Sequence, residues 1–267
     1  MTYQFINNDH GLFACSHYGP EWAGPDGDRL TLAIGLLKDT PSGQINIDFF
    51  VQHLEFEPSI EVKSIIEAAT TWTVNEDATT FLHAHQEKYI VALTTSNSLS
   101  KYPEFQAKAY DAEVQEKLSL AWNKEVSGVS QGAYVSQAQH IVASGSRLGM
   151  KAQVDDNRLI WPPRQLNSTA QRIENPQERL SETATILTWT RLSSAGAPSE
   201  FSERAPILGG VTTVLVSFDK GPQGVFMLAD DDGNTPKIDE TVRFEIRRLY
   251  GQDGMIHYGA KAILNNF

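Results

Sequence analysis

The stretch TVRFEIRRLYGQDGMIHYGAKAIL, Thr241–Leu264, holds two β-type runs separated by the turn signal Gly251-Gln252-Asp253-Gly254. Working back toward the N-terminus, three more runs of the same kind precede it: ETATILTWTRL (Glu182–Leu192), PILGGVTTVLVSF (Pro206–Phe218) and QGVFMLA (Gln223–Ala229). Each is rich in Val, Ile, Thr, Leu and aromatic residues. Each is bounded by a Gly-, Pro- or Asp-rich turn: SSAGAP, DKGPQG and DDDGNTPKIDE.

Five short strands in under about 90 residues predict a small closed barrel, and the five-stranded OB-fold is the commonest solution at that size. Upstream of the barrel, STAQRIENPQERLSE reads as a linker, preceded by RLIWPPRQLNSTAQR (Arg158–Arg172). The helix with the best local propensity is read over YPEFQAKAYDAEVQEKLSLAWNKEV (Tyr102–Val126), opened by Pro103. YVSQAQHIV (Tyr134–Val142) is a short helix or strand.

Residues 1–120 read as a mixed α/β region. DRLTLAIGLL (Asp28–Leu37) and INIDFFVQHLEF (Ile45–Phe56) have strand-like alternation and apolar runs. IEVKSIIEAATTW (Ile60–Trp72) has apolar residues at helical spacing, and TTFLHAHQEKYIVALTTS (Thr79–Ser96) reads as one or two strands. The expected architecture is α+β. It comprises residues 1–120 as an α/β region, 121–180 as a helical segment and ribbon-like stretch, and 181–267 as the barrel.

At 267 residues, 40% hydrophobic and 21% charged, the composition is that of a soluble globular protein able to bury a core. A net charge of -11 argues against a general nucleic-acid binder, which needs a basic face. The single cysteine, Cys15, excludes an intramolecular disulfide and a cysteine-based structural zinc site. No run approaches the roughly 20 apolar residues of a membrane span. The N-terminus lacks the basic start and apolar core of a signal peptide, so a cytoplasmic location is expected.

From about Trp122 to Asn266 the chain resembles the acyl-CoA-associated proteins that join a rubredoxin-like zinc ribbon to an OB-fold. AWNKEVSGVSQGAYVSQAQ is followed by RLIWPPR, similar to the family's Pro-Pro-Arg step, and SETATILTWTRL resembles its first barrel strand. GGVTTVLVSFDKGPQGVFML resembles the next strand pair, and the closing pair carries the Tyr258-Gly259 step and Lys261. The family's four zinc thiolates are absent, so no metal is carried over and the ribbon is degenerate. The resemblance implies a non-catalytic scaffold subunit. Its partner would be a thiolase, hydroxymethylglutaryl-CoA synthase or other ketosynthase-like acyl-CoA enzyme, and it would help hold or channel the acyl-pantetheine chain. Coenzyme A thioester is the expected ligand, with no resident cofactor, no nucleic acid and no membrane among the partners, and a homo-oligomer within a larger complex is compatible.

On that reading Arg164, Arg191 and Lys261 neutralise coenzyme A phosphates. Trp161 with Pro162 and Pro163 forms a rigid apolar wall for pantetheine or for a partner, and Phe201, in the long segment Ser193–Pro206, makes a partner contact. The plainer alternative has Trp161 plugging the barrel end and the arginines solvated.

A rival from another class is an acyl-CoA-processing enzyme with its active site in the N-terminal region. It draws on Cys15 near His10 and His17 as a thiolate–imidazole couple, or on His83-Ala-His85, whose alternation along a strand would set two imidazoles on one face for a metal. A third reading, single-strand nucleic-acid binding by the barrel, would use Trp189, Phe218, Phe226, Phe244 and Tyr258 with the intervening cations. These aromatics sit within apolar runs. GPDGDR (Gly24–Arg29) and DDDGNTP (Asp230–Pro236) read as β-turns.

Overall fold

The computed structural model describes residues 3–129, 137–155, 157–164, 169, 177–197, 199–219, 221–231 and 235–264. The chain is mixed α+β and divides into two compact units: Met1–Val129 with Ile246–Tyr258, and Ser130–Glu245 with Gly259–Phe267.

In the first unit, β1 (Tyr3–Asn8) and β2 (Gly11–Ser16) form a hairpin, in register from Tyr3↔Ser16 to Asn8↔Gly11. Gly11 is required at its end: φ is +140°, and a Cβ there would lie 2.6 Å from the Leu93 carbonyl oxygen. The run after Asp28, expected as a strand, is instead the helix α1 (Arg29–Lys38). Eight of its ten residues are buried, so the run is apolar all round and shows no helical stripe. Its start is fixed by a capping box: Asp28 Oδ1 accepts from the Thr31 N–H at 2.9 Å, and the Asp28 N–H donates to Thr31 Oγ1 at 2.8 Å.

The second expected strand, INIDFFVQHLEF, is also corrected. Only β3 (Gln44–Ile45) is extended, and α2 (Asp48–Val51) follows at once. Asn46 turns the chain there, its side-chain oxygen accepting from the Asp48 N–H at 2.9 Å and its amide donating to the Glu76 carbonyl at 2.8 Å. Next come β4 (Glu57–Pro58), α3 (Val62–Ala69), β5 (Thr73–Val74), β6 (Phe81–Ala84) and β7 (Ile90–Thr94). Helix α3 follows its periodicity and turns Ile65, Ile66 and Ala69 inward. Helix α4 (Ala112–Ser127) begins well after Pro103, because Asp111 is its cap and accepts from the Glu113 and Val114 N–H groups at 2.9 and 3.3 Å. The sheet order is β1-β2-β7-β6, antiparallel throughout, and α1 packs on β1, β2 and β7.

The second unit opens with α5 (Gln137–Leu148), which settles the helix-or-strand choice for the segment around Gln137 as helix. Strands β8 (Lys151–Asp155), β9 (Arg158–Ile160) and β10 (Gln177–Arg179) form a three-stranded sheet in the order β10-β8-β9. The segment expected as linker, Ser168–Glu182, is corrected at its C-terminal end, where β10 forms; residues 168 and 170–176 lie outside the described part. Each of the five β-type runs holds a strand, β11 (Thr183–Leu192), β12 (Val211–Ser217), β13 (Gln223–Met227), β14 (Thr241–Gln252) and β15 (Met255–Leu264), though the run expected over Pro206–Phe218 opens as helix. Short 3-10 turns at Ser194–Gly196 and Ser199–Phe201 and the helix α6 (Ala205–Leu208) lie between β11 and β12.

These strands run β13-β12-β11-β14-β15. A parallel bridge, Leu228↔Ala262, joins the residue after β13 to β15, with the Ala229 N–H on the Ala262 carbonyl at 2.9 Å. Ala184, Ile186, Val214, Val216, Phe218, Phe226, Leu228, Val242, Ala262 and Leu264 pack together in one buried cluster. Each large side chain taken fully out of water there contributes on the order of 1.5–3 kcal/mol. Strands β14 and β15 carry residues of both units, and in the first unit Met255 and Ile256 pair in parallel with β4.

Candidate functional site

Strand alternation decides which side chains reach the inner face of β11 to β13. Val216, Val214 and Thr212 share one face of β12, and their partners across the ladder are Ile186, Trp189 and Arg191. The register shift between Ile186 and Thr188 is what turns Trp189 to that side. Trp189 is 37% exposed, and Arg191, also exposed, donates from Nε to Thr212 Oγ1 at 3.0 Å. An indole and a guanidinium therefore meet solvent at the end of the inner face.

Trp161, just past β9, stacks on Phe226 with ring centroids 6.0 Å apart and planes at 17°. Gly224 makes this approach possible, since a Cβ there would lie 2.9 Å from the indole. The Trp161–Pro162 peptide is cis. Pro162 and Arg164 are exposed and Pro163 is half-buried, and the Arg164 N–H is held by Gln153 Oε1 at 2.9 Å. Trp161, Pro162, Pro163 and Arg164 thus form one short rim, anchored by the indole on the core.

Lys261 is not part of that rim. It is fully buried, with Nζ 2.7 Å from Asp230 Oδ1, while Arg204 Nη1 lies 2.8 Å from Asp230 Oδ2. The Arg204 guanidinium also lies 5.6 Å over the Phe201 ring. Lys261 and Phe201, expected in different roles, belong to one interior cluster built around Asp230. A charge neutralised in this way does not reach a coenzyme A phosphate, and Phe201, half-buried against Arg204, is tied into its own unit.

In the first unit the loop read as a plain β-turn, GPDGDR, meets the middle of the β14–β15 hairpin, while the hairpin tip, Asp253-Gly254, bonds the carbonyls of Gly128 and Val126. Asp26, with no exposed surface, pairs with Arg247 at 3.3 Å. Asp28 accepts from the Tyr258 hydroxyl at 2.6 Å while capping α1. Arg248 lies 4.3 Å over Trp122, whose indole N–H donates to the Pro25 carbonyl at 2.7 Å. Burial, and then the Asp28 carboxylate, push the Tyr258 phenol well above its usual pKa, so it stays a neutral donor. These groups pair with one another in the interior, an arrangement that holds structure. The Asp28-x-x-Thr31 spacing is a helix-start signal; the roles of Asp26 and Asp230 had no local signal at all.

The rival catalytic residues fare differently. Cys15 is fully buried among Phe13, Ile90 and Ala92, and burial pushes its thiol up to about 12. It is a packed thiol with no thiolate at neutral pH. His83 stacks on Phe49 at 5.2 Å and bonds the Ser96 carbonyl through Nε2 at 3.0 Å. His85 lies past the end of β6, against Tyr102 at 4.7 Å. The His85 N–H continues the β6–β7 ladder on the Ile90 carbonyl at 2.9 Å, but the two rings have separate neighbours, Phe49 for His83 and Tyr102 for His85. Among the described residues no group of three or more His, Cys, Asp or Glu is placed to hold a metal ion, and no helix is long and apolar enough to cross a membrane.

No family model and no curated protein matches the sequence. Among solved structures, one titled "Ltp2-ChsH2(DUF35) aldolase" aligns with 51% of this chain and 99% of its own, at 12% identity and a TM-score of 0.36. A likeness of that degree fixes neither fold nor function.

Proposed function

We propose that the chain is a non-catalytic scaffold subunit of a thiolase-like, acyl-CoA-condensing enzyme, and that strands β11 to β15 form an OB-type barrel. The strand connections carry the reading. Strands β11, β12 and β13 meander, Arg243 of β14 returns to Thr183 of β11, and the Leu228↔Ala262 bridge sets β15 in parallel beside the end of β13. These pairings support the order 1-2-3-5-4-1 that a closed five-stranded barrel would have. Trp161, seated on Phe226 directly after the β8–β9 hairpin, occupies the place of the family's ribbon, here held by packing where thiolates would hold zinc.

The surface offered to an acyl-pantetheine chain or to the partner is then Trp161, Pro162 and Pro163, with Arg164 and Arg191 as the exposed cations. The enzymatic alternative loses its nucleophile with the burial of Cys15. The test has two arms. The tagged chain is isolated from its native cells and co-purifying proteins are identified; the purified chain is incubated alone with acetyl-CoA and acetoacetyl-CoA. The expected result is a thiolase-like enzyme in the first arm, reduced several-fold by Trp161→Ala, and no turnover in the second. Turnover of either thioester by the isolated chain overturns the scaffold reading.

A further inference from the structure

The turn between β6 and β7 is held by far more than its own hairpin bonds. Arg29, the first residue of α1, donates from Nε to the carbonyls of His85 (3.1 Å) and Lys88 (3.2 Å), and from Nη2 to that of Gln86 (3.1 Å). Its guanidinium lies 4.8 Å over the Tyr89 ring, and the Tyr89 N–H donates to the Pro20 carbonyl at 2.7 Å. Inside this frame His85 Nδ1 accepts from two backbone N–H groups, those of Glu87 at 3.1 Å and Lys88 at 3.2 Å.

A ring nitrogen that accepts two N–H bonds carries no proton, so the imidazole proton sits on Nε2. Burial, then the Lys88 charge, lower the His85 pKa, and Glu87 and Glu21 only partly oppose Lys88 and Arg29. The backbone thus fixes a neutral imidazole with Nε2–H as donor. Among the described residues, neither that N–H nor the Tyr102 hydroxyl has a hydrogen-bond partner.

Both residues line a cleft of about 370 Å³ between the turn and the segment 100–105, with Pro20, Ile90, Phe105 and Lys88 as further walls. Burial raises the Tyr102 phenol, which keeps its proton. The charges around the cleft select the class of guest. Arg29 is committed to three carbonyls, and Lys88 faces Glu21 at 3.6 Å. Glu104 lines the cleft and Glu87 lies beside His85. An anion would meet three carboxylates and one lysine already engaged; a cation would meet the Arg29 and Lys88 charges and an N–H donor it cannot accept from. A neutral acceptor meets neither penalty.

We propose that this cleft binds a neutral, planar carbonyl compound of the amide class. Its oxygen accepts from His85 Nε2–H and its flat body lies against Tyr102 and Phe105. The site belongs to the first unit and is independent of the acyl-CoA reading. The probe is benzamide, titrated into ¹⁵N-labelled protein, with benzoate as the isosteric anion. Saturable shifts are expected at the Glu87 and Lys88 amides, which bond His85. Affinity should fall at least tenfold in His85→Asn, which keeps an acceptor near the place of Nδ1 but removes the Nε2–H. Phe105→Ala, which leaves the turn untouched, should weaken binding several-fold, and thermal melts establish that each variant is folded. The absence of saturable shifts in the wild type overturns the site, as does unchanged affinity in both variants. Tighter binding of benzoate than benzamide overturns the neutral class.

Discussion

Asp230 carries more of the second unit's integrity than its place in an acidic turn suggests. It balances Arg204 and Lys261, both almost fully withdrawn from water. Asp230→Asn leaves two buried cations without their shared carboxylate, and the expected loss is about 3–5 kcal/mol, read as a shift of the urea midpoint. Lys261→Met should be milder, since Arg204 and Asp230 still pair. Cys15 gives a second test. Its folded thiol titrates near 12 against an ordinary value of 9.0, so its contribution to stability is intact below pH 9 and declines as pH rises from there toward 12. Iodoacetamide at pH 8 should leave the native protein unmodified and label it in urea. Neither burial was legible in the sequence. Lys261 and Asp230 stand 31 residues apart, and nothing local in YGAK or DDDG reports that they meet.

Helix α3 announced itself by its helical spacing, and the five C-terminal strands by apolar, β-branched runs set between turn signals, even in β15, which is almost wholly buried. Helix α1 did not, because LTLAIGLL is enclosed on nearly every side. The cap that starts α1 is also the acceptor for Tyr258, so two elements distant in sequence share one carboxylate. Tyr258→Phe should cost about 1–3 kcal/mol through the carboxylate left short of a partner. Asp28→Ala should cost about 1 kcal/mol more, because the helix loses its cap as well. Equal losses in urea melts would remove the cap from the account. Gly224→Ala tests the seat of Trp161, since the added Cβ would lie 2.7 Å from Phe226 and 2.9 Å from the indole. A loss of about 1–3 kcal/mol and a red-shifted tryptophan emission are expected; an unchanged spectrum would mean that the indole is not held there.

At the scale of the whole molecule, the segment Arg158–Arg164 is expected to hold its place without metal, through Trp161 on Phe226. The purified protein should contain no stoichiometric zinc by elemental analysis, and phenanthroline should leave its melting curve unchanged; a chelator-induced unfolding would reverse this. The β14–β15 hairpin has a further consequence. It supplies Arg247 and Tyr258 to Asp26 and Asp28, across sequence separations of 221 and 230 residues. On a ribosome moving at about 5–20 residues per second, the N-terminal loop waits roughly 10–45 s for these partners to be made. Through that interval two carboxylates destined for the interior stay hydrated, and the loop has reason to remain open. Synthesis of the last strands therefore finishes both units, and a chain cut short before the hairpin is recognisable to a protease as unfinished at its beginning.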